Sequence, residues 1–254
     1  TITVVDLVAQ KALPIIDLGA LRGPHGLTFV AGKLWFTVEG SKAIGSYGPA
    51  TQKVDWILGT GQDRTHMIYV SSGLSPIFTT NVNSATVSVI EQSETAERGP
   101  GGSHPNWTET VIPVGKGSEG FDVSPDGKEI WVANAKDGTI SVIDVSSKEV
   151  VQTIDANARG ANRLKFTLDG KLALVSSLGG KDAVVFDRAT RKEVKRITVG
   201  NGAAGILMQP DGTRAFVACT PDSYVAVIDL KTLHMTGKIT AGKNPDGLAW
   251  AARK

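Results

Sequence analysis

Residues 119–154 read EGFDVSPDGKEIWVANAKDGTISVIDVSSKEVVQTI. A short apolar run at 121–123 ends at Asp126-Gly127, a second run covers 130–133, a strictly alternating stretch covers 139–144, and a fourth covers 149–154. Asp-Gly between apolar runs is a strong local hairpin signal, because both residues tolerate positive φ. The pattern predicts four short antiparallel strands, a to d, in a single unit.

The same grammar recurs at 162–197 and 204–239, with Asp169-Gly170 and Asp211-Gly212 in the place of Asp126-Gly127. The units begin at Glu119, Asn162 and Ala204, a period of 43 and then 42 residues. A fixed period near this length with four strands per unit predicts a β-propeller, in which each unit is one blade. Two earlier units fit at about 25–59 and 66–115. The second carries an insertion, SETAERGPGGSHPNW at 93–107, whose Gly, Pro and Ser content predicts a surface loop between strands c and d.

The two ends complete the count. Residues 1–7 align with strand c and 13–18 with strand d, while Asp246-Gly247-Leu248-Ala249-Trp250 aligns with strand a. The expectation is one all-β domain over 1–254, a six-bladed propeller whose closing blade combines 246–254 with 1–18. That closing blade lacks a strand b in this chain; it is expected either upstream of Thr1 or not at all, and a whole further unit upstream would make seven blades.

Composition supports this class. At 254 residues, 41% hydrophobic and 20% charged, the chain can bury a core without metal or disulfide, and disorder or coiled coil is excluded. The net charge of +2 gives no general attraction to nucleic acid. The one cysteine, Cys219, excludes an internal disulfide and a Cys-rich zinc site, and is expected to be a small buried residue. No apolar run approaches a membrane span.

With the units aligned, Ile130-Trp131-Val132-Ala133-Asn134 followed by Gly138-Thr139-Ile140-Ser141-Val142-Ile143-Asp144 resembles the YVTN-type repeat of YncE-like and surface-layer propellers. The resemblance spans the chain and implies the propeller fold and an extracytoplasmic (periplasmic or cell-surface) location. A narrower stretch, Gly23-Pro24-His25-Gly26-Leu27 with Leu34-Trp35-Phe36-Thr37 and Glu39, is similar to blades of the streptogramin (virginiamycin B) lyases. That likeness implies a metal-assisted active site with His25 and Glu39 as catalytic residues. Val38 is one residue more than the lyase pattern has, and Gly23 stands where an acid is expected.

The residue that opens strand a in successive units is His25, His66, Glu119, Asn162, Ala204 and Asp246. Strand a lines the axis of a propeller, so these positions predict a polar collar at one mouth of the channel. His25, His66, Glu119 and Asp246 are the candidate ligands for one divalent metal ion, since two imidazoles with two carboxylates suit Zn, Mn, Fe or Ni better than Mg or Ca. Asn162 is a candidate ligand-binding residue. The same side chains could instead hold only water. Glu39, at the end of strand b, falls on the same face as this mouth.

Other features carry bland expectations. His104 falls on the opposite face and His234 on the outer edge, while Trp35, Trp131 and Trp250 pack between blades. Arg188, Arg191, Lys192, Lys195 and Arg196 sit on an outer hairpin where cations block edge-to-edge pairing; an anionic partner such as single-stranded nucleic acid is the disfavoured alternative. Two function classes stay open. The first is a non-enzymatic binding module for a small molecule or a cell-envelope protein, expected to be monomeric. The second is a metal-assisted lyase or lactonase at the channel mouth.

Overall fold

The structure is a computed structural model that describes residues 1–93, 97–99 and 102–251, with side chains described outside 94–104. It is all-β apart from one 3-10 turn at Glu39–Ser41. The strands are β1 (Val5–Asp6) and β2 (Lys11–Ala12), then five four-stranded sheets. Blade 1 is β3 (Pro24–Val30), β4 (Lys33–Val38), β5 (Ala43–Gly48) and β6 (Lys53–Gly59). Blade 2 is β7 (Thr65–Val70), β8 (Ile77–Asn81), β9 (Thr86–Gln92) and, after a hairpin of β10 (Glu97–Gly99) and β11 (Gly102–His104), β12 (Trp107–Pro113).

Blade 3 is β13 (Ser118–Val123), β14 (Glu129–Asn134), β15 (Thr139–Asp144) and β16 (Glu149–Asp155). Blade 4 is β17 (Ala161–Phe166), β18 (Leu172–Ser177), β19 (Asp182–Asp187) and β20 (Lys192–Thr198). Blade 5 is β21 (Ala203–Met208), β22 (Arg214–Cys219), β23 (Tyr224–Asp229) and β24 (His234–Thr240). Each sheet is an antiparallel meander in chain order, the fold of a β-propeller blade. With five blades complete and the β1–β2 pair begun, the architecture is that of a six-bladed propeller. No described helix is long and apolar enough to cross a membrane.

The chain divides into two compact units, 1–113 and 114–252. Blades 1 and 2 fall in the first, blades 3 to 5 in the second. Within each unit the core is built between neighbouring blades. Trp131 of β14 stacks edge-on against Phe166 of β17 at 5.4 Å, and Trp35 of β4 shares a cluster with Ile68 and Val70 of β7. The alternation of strands b and c explains this: both faces of an inner strand are covered, so near-continuous apolar runs such as Ile130 to Ala133 are fully buried.

Several expectations are corrected. The Asp-Gly turns are not two-residue hairpins in which both residues take positive φ. Only the glycines do, at +71°, +67° and +73° for Gly127, Gly170 and Gly212. Asp126 instead accepts hydrogen bonds from the Ser124 hydroxyl (2.6 Å) and the Lys128 N–H (3.2 Å), a local Asx arrangement that closes a longer loop. Strand d of the closing blade is reduced to β2 and a single bridge between Ile2 and Ile16, because Pro14 has no N–H to give the ladder. Residues 246–250 form no strand, although Asp246 packs on Gly205 as Asn162 packs on Gly120.

The 93–107 insertion carries the β10–β11 hairpin rather than a bare loop. The His104 side chain lies outside the described residues. Trp250, expected to pack between blades, stacks on Phe216 of blade 5 at 6.3 Å and is half exposed. Cys219 is buried and His234 exposed, as expected.

Candidate functional site

A bulge recurs in the first strand of every blade. The β3–β4 register shifts between Pro24 and Leu27, and β7–β8 shifts between Thr65 and Ile68. The same shift falls between Ser118 and Phe121, Ala161 and Leu164, and Ala203 and Ile206. The register therefore shifts at the very positions that open strand a in the repeat, His25, His66, Glu119, Asn162 and Ala204. A bulge re-aims a side chain out of the pleat, and here it does so at one level of each blade.

In the first unit this places two histidines together. The His25 and His66 rings stack with centroids 3.9 Å apart and planes inclined by 29°. The 3-10 turn after β4 brings in a carboxylate: Glu39 N–H donates to the Gly23 carbonyl at 2.8 Å, and Gly40 N–H to that of Arg22 at 3.1 Å. Gly23 takes φ +66° and faces the Gly40 nitrogen so closely that a side chain there would crowd the turn. The positive φ and that close approach together favour glycine at this position.

Glu39 Oε1 is hydrogen-bonded to His66 Nδ1 and lies 3.4 Å from Nε of Arg64. His66 is buried, Glu39 half-buried and His25 exposed. One donor atom from each of His25, Glu39 and His66 lies within 4.8 Å of the other two. A carboxylate on Nδ1 fixes the ring orientation and leaves Nε2 to serve as a ligand or to carry a proton.

The His66 backbone is fixed as firmly as its ring. The buried Thr37 hydroxyl accepts from Gly26 N–H at 2.8 Å and donates to the His66 carbonyl at 2.6 Å. The second unit repeats the device with Ser176, which accepts from Arg163 N–H at 3.0 Å and donates to the Ala204 carbonyl at 2.6 Å. Neither this hydroxyl nor Arg64 was singled out by sequence reasoning. The signal for the hydroxyl is Thr or Ser at the penultimate position of strand b, in Thr37, Thr80 and Ser176.

The other expected site residues stand in the second unit. Glu119 faces Arg163, with Oε2 3.8 Å from Nη1, both side chains largely shielded. Asn162 is buried at 4% exposure, and Asp246 is exposed on the segment after β24. The basic hairpin of blade 4 is neither a bare edge guard nor a cationic groove. Arg188 Nη2 binds both Asp126 oxygens at 2.9 Å, Arg188 Nε and Arg191 Nη2 bind Glu129 at 2.8 Å, and Arg196 pairs with Glu193 at 2.7 Å. Arg188 and Arg191, expected to guard an edge, tie blade 4 to blade 3.

Residues 101–214 match the family model described as YNCE-like beta-propeller. No curated protein sequence matches the chain significantly. Among solved structures it is similar to hydrazine synthase of Kuenenia stuttgartiensis, at 21% identity and a TM-score of 0.68, covering 84% of this chain and 65% of that one. The chain thus spans just under two thirds of that protein. A functionally unknown protein from Desulfotomaculum acetoxidans matches at 14% identity and a TM-score of 0.74, over 94% of this chain and 78% of that one. A "putative 6-phosphogluconolactonase" from Bacteroides uniformis matches at 14% identity and a TM-score of 0.70, over 86% and 71%. At these identities the structural likenesses speak for the fold alone. The chain is a β-propeller, and over residues 101–214 it is YNCE-like.

Proposed function

We propose that this propeller is a binding module that holds one divalent transition-metal ion at His25, Glu39 and His66 and takes a small oxygen-bearing ligand through it. The observation that supports the reading is the convergence of two imidazoles and a carboxylate within 4.8 Å on bulged or turned backbone. Imidazole and carboxylate together suit Zn or Mn-class ions, and three protein donors leave a coordination position for a ligand. We place the protein outside the cytoplasm, following the YVTN-type repeats, with a small molecule or a cell-envelope protein as partner.

The donor set also favours a second reading, a metal-assisted lyase or lactonase. An open position on a metal can polarise a carbonyl oxygen, and a histidine beside it can act as base. The lactonase-like neighbour shares only the fold, so this reading rests on the residues. Glu119 and Asp246 remain acids to be tested with it.

The experiment is elemental analysis of chelator-treated, metal-reloaded protein, with a thermal-shift series over Zn, Mn, Ni and Mg. One equivalent of metal with a shift lost in His66→Ala and His25→Ala supports the centre; no uptake by wild type refutes it. Turnover of lactones or cyclic esters that disappears in the same variants selects the enzyme. Metal uptake without turnover selects the binding module.

A further inference from the structure

Two residues before each position that opens strand a, the backbone does the same thing in all five blades. Its carbonyl accepts from the first N–H after strand b of the same blade: Glu39 to Gly23 at 2.8 Å, Val82 to Arg64 at 3.0 Å, Ala135 to Gly117 at 2.7 Å, Leu178 to Gly160 at 2.9 Å and Thr220 to Gly202 at 3.2 Å. The accepting residue takes φ between +58° and +72° each time. In four blades it is glycine, which enters left-handed backbone without strain. In blade 2 it is Arg64, at φ +59°.

Other non-glycine residues at positive φ belong to their turn. Gln52, Lys148, Arg191 and Leu233 hold one equivalent position between strands c and d of blades 1, 3, 4 and 5, each donating its N–H to the carbonyl four residues back. Arg64 instead departs from its own series. Backbone strain that the fold avoids in every sister turn marks a side chain retained for what it does.

That side chain reaches the candidate centre. Arg64 Nε lies 3.4 Å from Glu39 Oε1, the same oxygen that meets His66 Nδ1. The Arg64 side chain is 40% exposed and that of Glu39 24%, so the pair opens to solvent instead of closing a core contact. With a divalent ion on His25, Glu39 and His66, one carboxylate faces two cationic groups. Imidazole ligands are neutral, so the site keeps a positive balance that an anion neutralises.

We propose that Arg64 is a ligand-binding residue that, together with the metal ion, selects a small oxyanion, a carboxylate or a phosphate ester. The anion fills the open position on the metal with one oxygen and accepts from the guanidinium with another, a fork geometry that suits both groups. The inference rests on the metal centre proposed above and names the ligand class for it.

The probe is the full chain loaded with cobalt(II), whose visible absorption reports the ligands on the metal. Acetate, methyl phosphate and, as a neutral control, acetamide are titrated into wild type and Arg64→Gly. Arg64→Gly copies the other four blades, so its Tm without metal should hold or rise. Cobalt uptake should be kept, since a neighbouring cation does not assist metal binding. Acetate or methyl phosphate should shift the wild-type spectrum saturably and bind at least tenfold more weakly to the variant, while acetamide should show no such difference. The tighter anion in wild type identifies the group as carboxylate or phosphate ester. The proposal is overturned, with the metal centre left standing, if neither anion binds the cobalt-loaded wild type or if both bind Arg64→Gly equally well. Anion binding lost only together with cobalt uptake also overturns it, and makes Arg64 a structural partner of Glu39. No cobalt uptake by wild type refutes the metal centre and this proposal with it.

Discussion

The hydroxyl of Thr37, on the second strand of blade 1, donates to the carbonyl of His66, on the first strand of blade 2. It thereby bridges the two blades at the bulge, while Gly26 N–H donates to the Thr37 hydroxyl oxygen. Thr37→Val keeps the shape and removes both bonds, stranding a buried donor and acceptor. The expected loss is about 1–3 kcal/mol of stability, read by urea unfolding. Thr37→Ser should recover most of it. An unchanged midpoint in Thr37→Val would show that the bridge contributes nothing.

Gly120 makes the equivalent inter-blade contact in the second unit. A Cβ there would press on the Asn162 carbonyl and come within 2.7 Å of the Arg163 Cα, both backbone and unable to give way cheaply. Gly120→Ala should cost about 1–3 kcal/mol through overpacking. Gly237 in β24 has open space around it, so Gly237→Ala is the control and should stay within about 0.5 kcal/mol. Equal effects in the two variants would refute the packing argument.

These two devices mark where sequence reading stops. The four-stranded units were legible because period and alternation are local and recur, with Asp-Gly pairs marking three of them. The positions that open strand a were aligned from the repeat alone, and two of them, His25 and His66, stack on each other. What brings Glu39 to His66 is a 3-10 turn and a bulge, neither of which has a periodicity to detect. Arg188 and Arg191 were read as edge guards because cations on an outer hairpin commonly block strand pairing. Their partners, Asp126 and Glu129, lie about sixty residues away, a distance at which only packing pairs side chains. Residues 246–250 carry a strand pattern but form no strand among the described residues.

Glu39 separates a metal centre from a simple hydrogen-bonded pair. Glu39→Gln can still accept from His66 Nδ1 through its amide oxygen but carries no charge and is a poor metal ligand. If the proposed centre holds, metal affinity should fall roughly 10–100-fold, whether Glu39 binds the ion directly or orients His66. The Tm without metal should hardly move. Titration calorimetry with Zn and Mn measures the first quantity and a chelator-treated melt the second. Unaltered affinity would remove Glu39 from the site and leave two histidines, too few for a tight centre.

Acid should loosen the second unit through the Arg188 network. The Ser124 hydroxyl holds the Asp126 carboxyl down most strongly; burial opposes it, but the Arg188 guanidinium and the Lys128 N–H add to the lowering and leave it at about 2. Burial alone would push Glu129 up, but hydrogen bonds from Arg188, Arg191 and Trp131 outweigh it and hold Glu129 below its ordinary value. A carboxylate whose pKa is lower folded than unfolded stabilises fully above the unfolded value. It loses that contribution as pH falls through the folded one. Stability should therefore hold down to about pH 4, the ordinary carboxylate range, and then decline toward pH 2. Asp126→Asn should flatten part of that decline. Arg188→Ala should lower stability at neutral pH by about 2 kcal/mol, since Glu129 is left partly shielded with one cation fewer. Urea midpoints at pH 7, 4 and 2.5 test both variants against wild type. Parallel pH profiles for wild type and Asp126→Asn would assign the acid sensitivity to other carboxylates.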